Sequence, residues 1–101
     1  MIKHAAILKE DKTIVTGKDH AACIHKSVFG ACRYPAIQGF VTEDGTFVTR
    51  ELAGIIAYKA KQLSQNPNGR PIFSEEIWET HDRFNGLCDY DEETGYYLRD
   101  K

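Results

Sequence analysis

The chain opens with an apolar run, Ala5-Ala6-Ile7-Leu8, then polar Lys9-Glu10-Asp11-Lys12, then β-branched Thr13-Ile14-Val15-Thr16. Two strand-forming runs around a polar turn predict a hairpin from His4 to Gly17. Ala21, Ile24 and Val28 then recur at helical spacing, with Asp19 placed as an N-cap and Gly30 as the stop, which predicts a helix over 20–29. Residues 31–37, pinned by Pro35, are expected to be a loop. The second hairpin signal is sharper. Gly39-Phe40-Val41-Thr42 and Thr46-Phe47-Val48 flank Glu43-Asp44-Gly45, and Asp-Gly between β-branched and aromatic runs favours a tight turn.

Thr49 stands where it would cap a helix from about Arg50 to Leu63, with Leu52, Ile55, Ile56 and Leu63 as its apolar stripe, widened by Ala53, Ala57 and Ala60. Asn66-Pro67-Asn68-Gly69 forces a loop. Ser74-Glu75-Glu76 starts a short helix carrying Ile77 and Trp78, with acids in the first turn where the dipole favours them. Leu87-Cys88-Asp89-Tyr90 and Tyr96-Tyr97-Leu98-Arg99 flank Asp91–Gly95 as a last hairpin. The order ββ-α-ββ-α-α-ββ contains hairpins and no evident βαβ crossover. It predicts an α+β fold: a small antiparallel sheet built from hairpins, with two or three helices packed on it.

Length and charge narrow the function. One domain spanning 1–101 is expected, with room for one core and one shallow site. A ligand of any size would then need a second protomer to complete its walls. Lys and Arg total 13 against 15 Asp and Glu, so the chain is slightly acidic and poorly suited to gripping duplex nucleic acid by counterion release. No apolar run approaches the ~20 residues of a membrane span. The start of the chain is charged too early for a secretory signal, and three cysteines are an odd number, which together predict free thiols and a cytoplasmic location.

Four ligand-type side chains, His20, Cys23, His25 and Cys32, fall within a short stretch, but without the paired spacing of a closed zinc site. No metal and no cofactor are expected. A Cys–His nucleophile lacks a glycine-flanked turn to present it. The acids Asp44, Glu75, Glu76, Asp91, Glu92 and Glu93 all fall in turns or first turns, where structure alone explains them. The glycines stand singly and form no phosphate-binding loop. What remains is a set of aromatics, Tyr34, Phe40, Phe47, Phe73, Trp78, Phe84, Tyr90, Tyr96 and Tyr97, interleaved with Arg33, Arg50, Arg70, Arg83 and Arg99. Aromatic faces stack on bases and guanidinium forks grip phosphates, so the set suits a nucleotide-like ligand; core packing and solvated arginines are the plain alternative. Arg50 stands out because the helix dipole opposes a cation at the first helical position; an anion held there would explain it, and so would a salt bridge to Glu43, Asp44 or another acid.

The run Gly39-Phe40-Val41-Thr42-Glu43-Asp44-Gly45-Thr46-Phe47-Val48-Thr49-Arg50, followed by Ala57, Gln62 and Ile72-Phe73-Ser74-Glu75-Glu76-Ile77-Trp78, resembles the first family of phage Thoeris anti-defence proteins. Thr16-Gly17-Lys18-x-His20-Ala21-x-Cys23-Ile24 fits the same pattern, so the resemblance covers most of Thr16 to Trp78. It implies a sponge: a protein that holds the cyclic ADP-ribose signal of a bacterial TIR-domain enzyme unaltered, so that the defence effector stays inactive. It also implies dimers or higher assemblies, and for some members separate sites for cyclic oligonucleotides. Thr46 departs from the pattern, which often has a basic residue there, and the tail from Gly86 to Lys101 extends beyond it.

The leading expectation is therefore a non-enzymatic, homo-oligomeric binder of a cyclic nucleotide. Its ligand residues, chosen on chemistry and motif position, are His20, Arg33, Phe40, Arg50, Phe73 and Trp78. A protein-binding inhibitor using the same aromatic surface is the alternative, and a small hydrolase or deaminase built on the His/Cys cluster is a third reading.

Overall fold

The computed structural model describes residues 1–27, 37–79 and 86–99. Strands β1 (Ile2–Leu8), β2 (Ile14–Gly17), β3 (Ile37–Thr42) and β4 (Phe47–Thr49) form one antiparallel sheet in the order β2-β1-β3-β4. Helix α1 (His20–Ser27) follows β2, α2 (Arg50–Lys59) follows β4, and α3 (Glu75–Trp78) follows a loop. A separate two-stranded sheet, β5 (Cys88–Asp91) with β6 (Gly95–Leu98), ends the described chain. The fold is α+β, as the hairpin pattern predicts. The crossover is where it differs from expectation. β1 runs antiparallel to both β2 and β3, so those two are parallel to each other, and β2–α1–β3 is a crossover that straddles β1. Sequence pattern sees only neighbouring hairpins and not the strand slotted between them.

The local signals act as their chemistry requires. Asp19 caps α1 by accepting the Ala22 N–H at 2.7 Å, and Thr49 Oγ1 caps α2 by accepting the Leu52 N–H at 3.3 Å. The turn between β3 and β4 closes through the Gly45 N–H on the Thr42 carbonyl at 2.9 Å. Hydrogen bonds from Thr42 and Thr46 hold the Asp44 carboxyl below the usual range. At α3 the serine at the helix start does not cap it. Ser74 is itself helical and makes no capping bond, while Glu76 reaches back to accept the Phe73 N–H at 2.8 Å.

Helix α2 stops four residues before the predicted end. Lys61 adopts a left-handed conformation (φ 63°), and the Lys61 and Gln62 N–H groups return to the Tyr58 and Ala57 carbonyls. This is a Schellman stop with lysine where glycine is usual, so no glycine marks it in the sequence. The buried face of α2 also differs from the predicted stripe. Ala53 and Ala57 of that stripe face the core together with Gly54, and Ile56 and Leu63 pack inward, whereas Leu52 (45 % exposed) and Ile55 (44 %) face outward. Small residues win the inner face because Gly54 lies close against Pro67 and Ile72. Strand and helix residues share one core with the last hairpin: Ile2, Ala5, Ile7, Cys23, Phe40, Val48, Ala53, Ala57, Ile72, Ile77, Cys88 and Tyr96 are all buried in it.

Candidate functional site

The junction of β4 and α2 faces the start of α1 and the segment leading into α3. Pairing of Gly39 with Thr49 sets the start of β3 toward Arg50. The Gly39 carbonyl accepts from His20 Nε2 at 2.7 Å, which fixes the imidazole tautomer with its proton on that nitrogen. The His20 ring stands edge-on to Phe40 with centroids 5.0 Å apart. Burial is the main cause that pushes His20 below its ordinary pKa. Arg50 adds to the depression, and the Gly39 bond, Glu75 and Asp19 oppose it.

Arg50 Nε donates to the Ile72 carbonyl at 2.9 Å, and the guanidinium lies 4.7 Å from the centroid of Phe73, whose ring is exposed. No acidic side chain among the described residues forms an ion pair with Arg50. The other arginines within the described residues are engaged. Arg70 grips Glu76 with two nitrogens, and Arg99 donates to the Gly86 and Trp78 carbonyls. Lys18, two residues ahead of His20, places its ammonium 4.0 Å from the centroid of Trp78. Trp78 Nε1 is buried without a hydrogen-bond partner, an orphan that native proteins seldom keep without a reason. Two cations lying on two aromatic faces along Phe73–Trp78 make an edge suited to a planar anion.

A family model for the phage T4 y16D protein matches residues 1–78. The chain belongs to the phage T4 y16D protein family. No curated protein and no solved structure matches it. The y16D match contains every element of this edge, from Lys18 to Trp78, and stops before the β5–β6 hairpin.

Of the residues expected to bind ligand, the fold brings His20, Phe40, Arg50 and Phe73 into one neighbourhood, with Trp78 at the end of the same segment as Phe73. Their exposures differ. Phe40 is fully enclosed and His20 nearly so, whereas Phe73 is exposed. Arg33 lies outside the described residues, as do Cys32, Tyr34, Arg83 and Phe84. The His/Cys stretch does not converge within the described part: Cys23 is buried and donates to the Ala5 carbonyl at 3.5 Å, whereas His25 is exposed. Burial pushes the Cys88 thiol up, away from a reactive thiolate. Sequence reasoning missed Lys18, whose ammonium lies over the Trp78 ring. Lys18 shares a short run with His20. The available signal was therefore proximity in sequence to residues already chosen. No described helix is long and apolar enough to cross a membrane.

Proposed function

We propose that this phage protein binds and sequesters a cyclic ADP-ribose-type nucleotide without cleaving it, and thereby blocks bacterial anti-phage immune signalling. The observation that carries this reading is Arg50. It has no acidic partner among the described residues, lies on exposed Phe73, and heads a helix whose first N–H groups favour an anion. A diphosphate would take the terminal guanidinium nitrogens, and a base would take an aromatic face. Membership of a phage family supports the setting, and the motif resemblance to Thoeris anti-defence proteins supports the ligand class. Burial of Cys23 and Cys88 favours binding over nucleophilic catalysis.

A second reading has its own observation. Leu52, Ile55 and Tyr58 leave an apolar strip on the outside of α2, which suits either a second copy of this chain or a host protein. We assign it to a second copy, because a chain of 101 residues has little depth to enclose a dinucleotide alone.

Incubation with cyclic ADP-ribose, removal of free ligand, heat denaturation and chromatography of the supernatant tests the function. Release of intact ligand supports sequestration. Release of a cleaved product overturns it in favour of an enzyme, and no retained ligand overturns it in favour of the protein-binding alternative.

A further inference from the structure

The β5–β6 hairpin lies outside the residues matched by the family model, yet it reaches both partners of the Lys18–Trp78 pair through their backbones. Tyr96 donates its hydroxyl to the Lys18 carbonyl. Arg99 donates one terminal nitrogen to the Trp78 carbonyl and the other to the Gly86 carbonyl, the latter at 2.6 Å. We infer that Tyr96 and Arg99 are positioning residues, which set the spacing of the Lys18 ammonium over the Trp78 ring and so shape the ligand edge from outside it.

Three observations make the hairpin rigid enough for that work. The Tyr96 ring is fully buried in the core and stands edge-on to Tyr90 at 5.1 Å, so its hydroxyl is a fixed post. Gly95 has φ +85° and lies so close to Lys3 that any Cβ would collide with the Lys3 backbone. Gly86 lies equally close to the backbone of Ile77 and Trp78. The hairpin is thus seated on β1 at one end and on the last turn of α3 at the other. Lys18 and Trp78, by contrast, come from the β2–α1 junction and from the end of a four-residue helix. A cation over an aromatic ring at the surface is a weak contact, set against the freedom of a lysine side chain. Two hydrogen bonds from one rigid hairpin supply the register that the contact alone does not.

The emission of Trp78, the single tryptophan of the chain, reports on the pair directly. Lys18→Met in the parent protein is expected to move the emission maximum, because it removes a charge from the ring. In the Tyr96→Phe and Arg99→Gln backgrounds the same Lys18→Met change should move it much less, a coupling read as a double-mutant cycle. Tyr90→Phe and Lys3→Met loosen the hairpin at other points, removing the bonds to His4 Nδ1 and to the Tyr96 carbonyl, and should leave the Lys18 effect intact. Should Arg99→Gln fail to fold, Arg99→Lys, which keeps one donor, takes its place.

The ligand arm rests on the sequestration reading. There, cyclic ADP-ribose should bind Tyr96→Phe and Arg99→Gln about tenfold more weakly, or ~1.4 kcal/mol, and bind Tyr90→Phe as the parent does. A parent that binds no cyclic ADP-ribose removes that reading and leaves the emission cycle to decide this one. An unchanged Lys18 effect in folded Tyr96→Phe and Arg99→Gln overturns the inference, and so does an equal loss of that effect in Tyr90→Phe.

Discussion

Gln62 holds both backbone groups of Ile2: its Oε1 accepts the Ile2 N–H at 2.8 Å and its Nε2 donates to the Ile2 carbonyl at 2.7 Å. Strand β2 reaches only to Gly17, opposite Ala5, so on that side of β1 no described strand extends beside Ile2, which pairs with Thr42 of β3 on its other side. The side-chain amide substitutes for a strand, and it is aimed there by the left-handed Lys61 that ends α2. Both residues are fully buried, so the bonds have no water to replace them. Gln62→Leu is expected to cost about 2–4 kcal/mol, since two buried backbone groups lose their partners at once. A urea titration of both proteins measures it, and a change below about 1 kcal/mol would show that Ile2 finds other partners.

The Ile2–Gln62 clamp also marks what sequence pattern can and cannot reveal. Hairpins, caps and the element order were legible because each is a local signal: Asp44-Gly45 for a turn, Asp19 and Thr49 for helix starts. The end of α2 was not, because a lysine fills the position where glycine usually announces the stop. Leu52 and Ile55 misled for a different reason. Periodicity identifies an apolar face, but close approach of Pro67 and Ile72 to Gly54 selects the face made of small residues. At the candidate site, Arg50 and Phe73 were legible as a cation and an aromatic beside a helix start. Their stacking, and the part of Lys18, depend on loops folding back from distant positions, which no spacing rule encodes.

Glu76 is nearly buried and meets Arg70 through two nitrogens, Nη1 lying 2.9 Å from Oε2. Desolvation raises the Glu76 pKa, but Arg70 and the Phe73 N–H together outweigh it, and the carboxyl titrates below its usual value. A carboxyl depressed in the folded state stabilises above the unfolded pKa, and that stability is lost as pH falls through the folded one. Arg70 is half-exposed, so screening limits the contribution. Arg70→Met should therefore cost about 1 kcal/mol at pH 7, with the gap to the parent closing below about pH 4. Equal gaps at pH 7 and pH 3 in paired denaturation curves would remove the ion pair as the cause.

His20 predicts the opposite neighbour on the pH scale. Its folded pKa lies below the ordinary histidine value, chiefly through burial. The unfolded chain therefore takes up a proton at His20 first, and stability falls as pH drops below about 6.5. His20→Gln keeps an N–H for the Gly39 carbonyl and has nothing to titrate. Between pH 7 and pH 5 the parent should lose stability that His20→Gln retains; parallel curves for the two proteins would contradict this.

Assembly should depend on the outer strip of α2. Light scattering at micromolar concentration is expected to give at least a dimer mass for the parent. Ile55→Glu, which places a charge at an exposed position without touching the core, is expected to give a monomer with its thermal stability as a subunit preserved. A parent of monomeric mass removes the proposal of a homo-oligomer, and a dimeric Ile55→Glu moves the interface to another surface.

Arg50 separates the structural from the ligand-binding account. Its Nε bond to the Ile72 carbonyl and its place over Phe73 tie the start of α2 to the segment ahead of α3. Loss of one hydrogen bond and one cation–aromatic contact is expected to cost Arg50→Ala about 1–2 kcal/mol, partly offset by the ~0.3–1 kcal/mol that the helix dipole charges a cation at that position. The melting temperature should fall by roughly 5–10 °C. Weak ligand binding in that variant alone would not distinguish a lost contact from a loosened site. Arg50→Lys makes the distinction. It keeps the positive charge and a flexible stem but loses the planar fork that meets a phosphate with two donors. Arg50→Lys should keep its stability within about 1 kcal/mol of the parent and bind cyclic ADP-ribose at least tenfold more weakly, or ~1.4 kcal/mol, by calorimetry. If Arg50→Lys binds as tightly as the parent, the guanidinium serves the fold, and the phosphate contacts belong to another part of the chain.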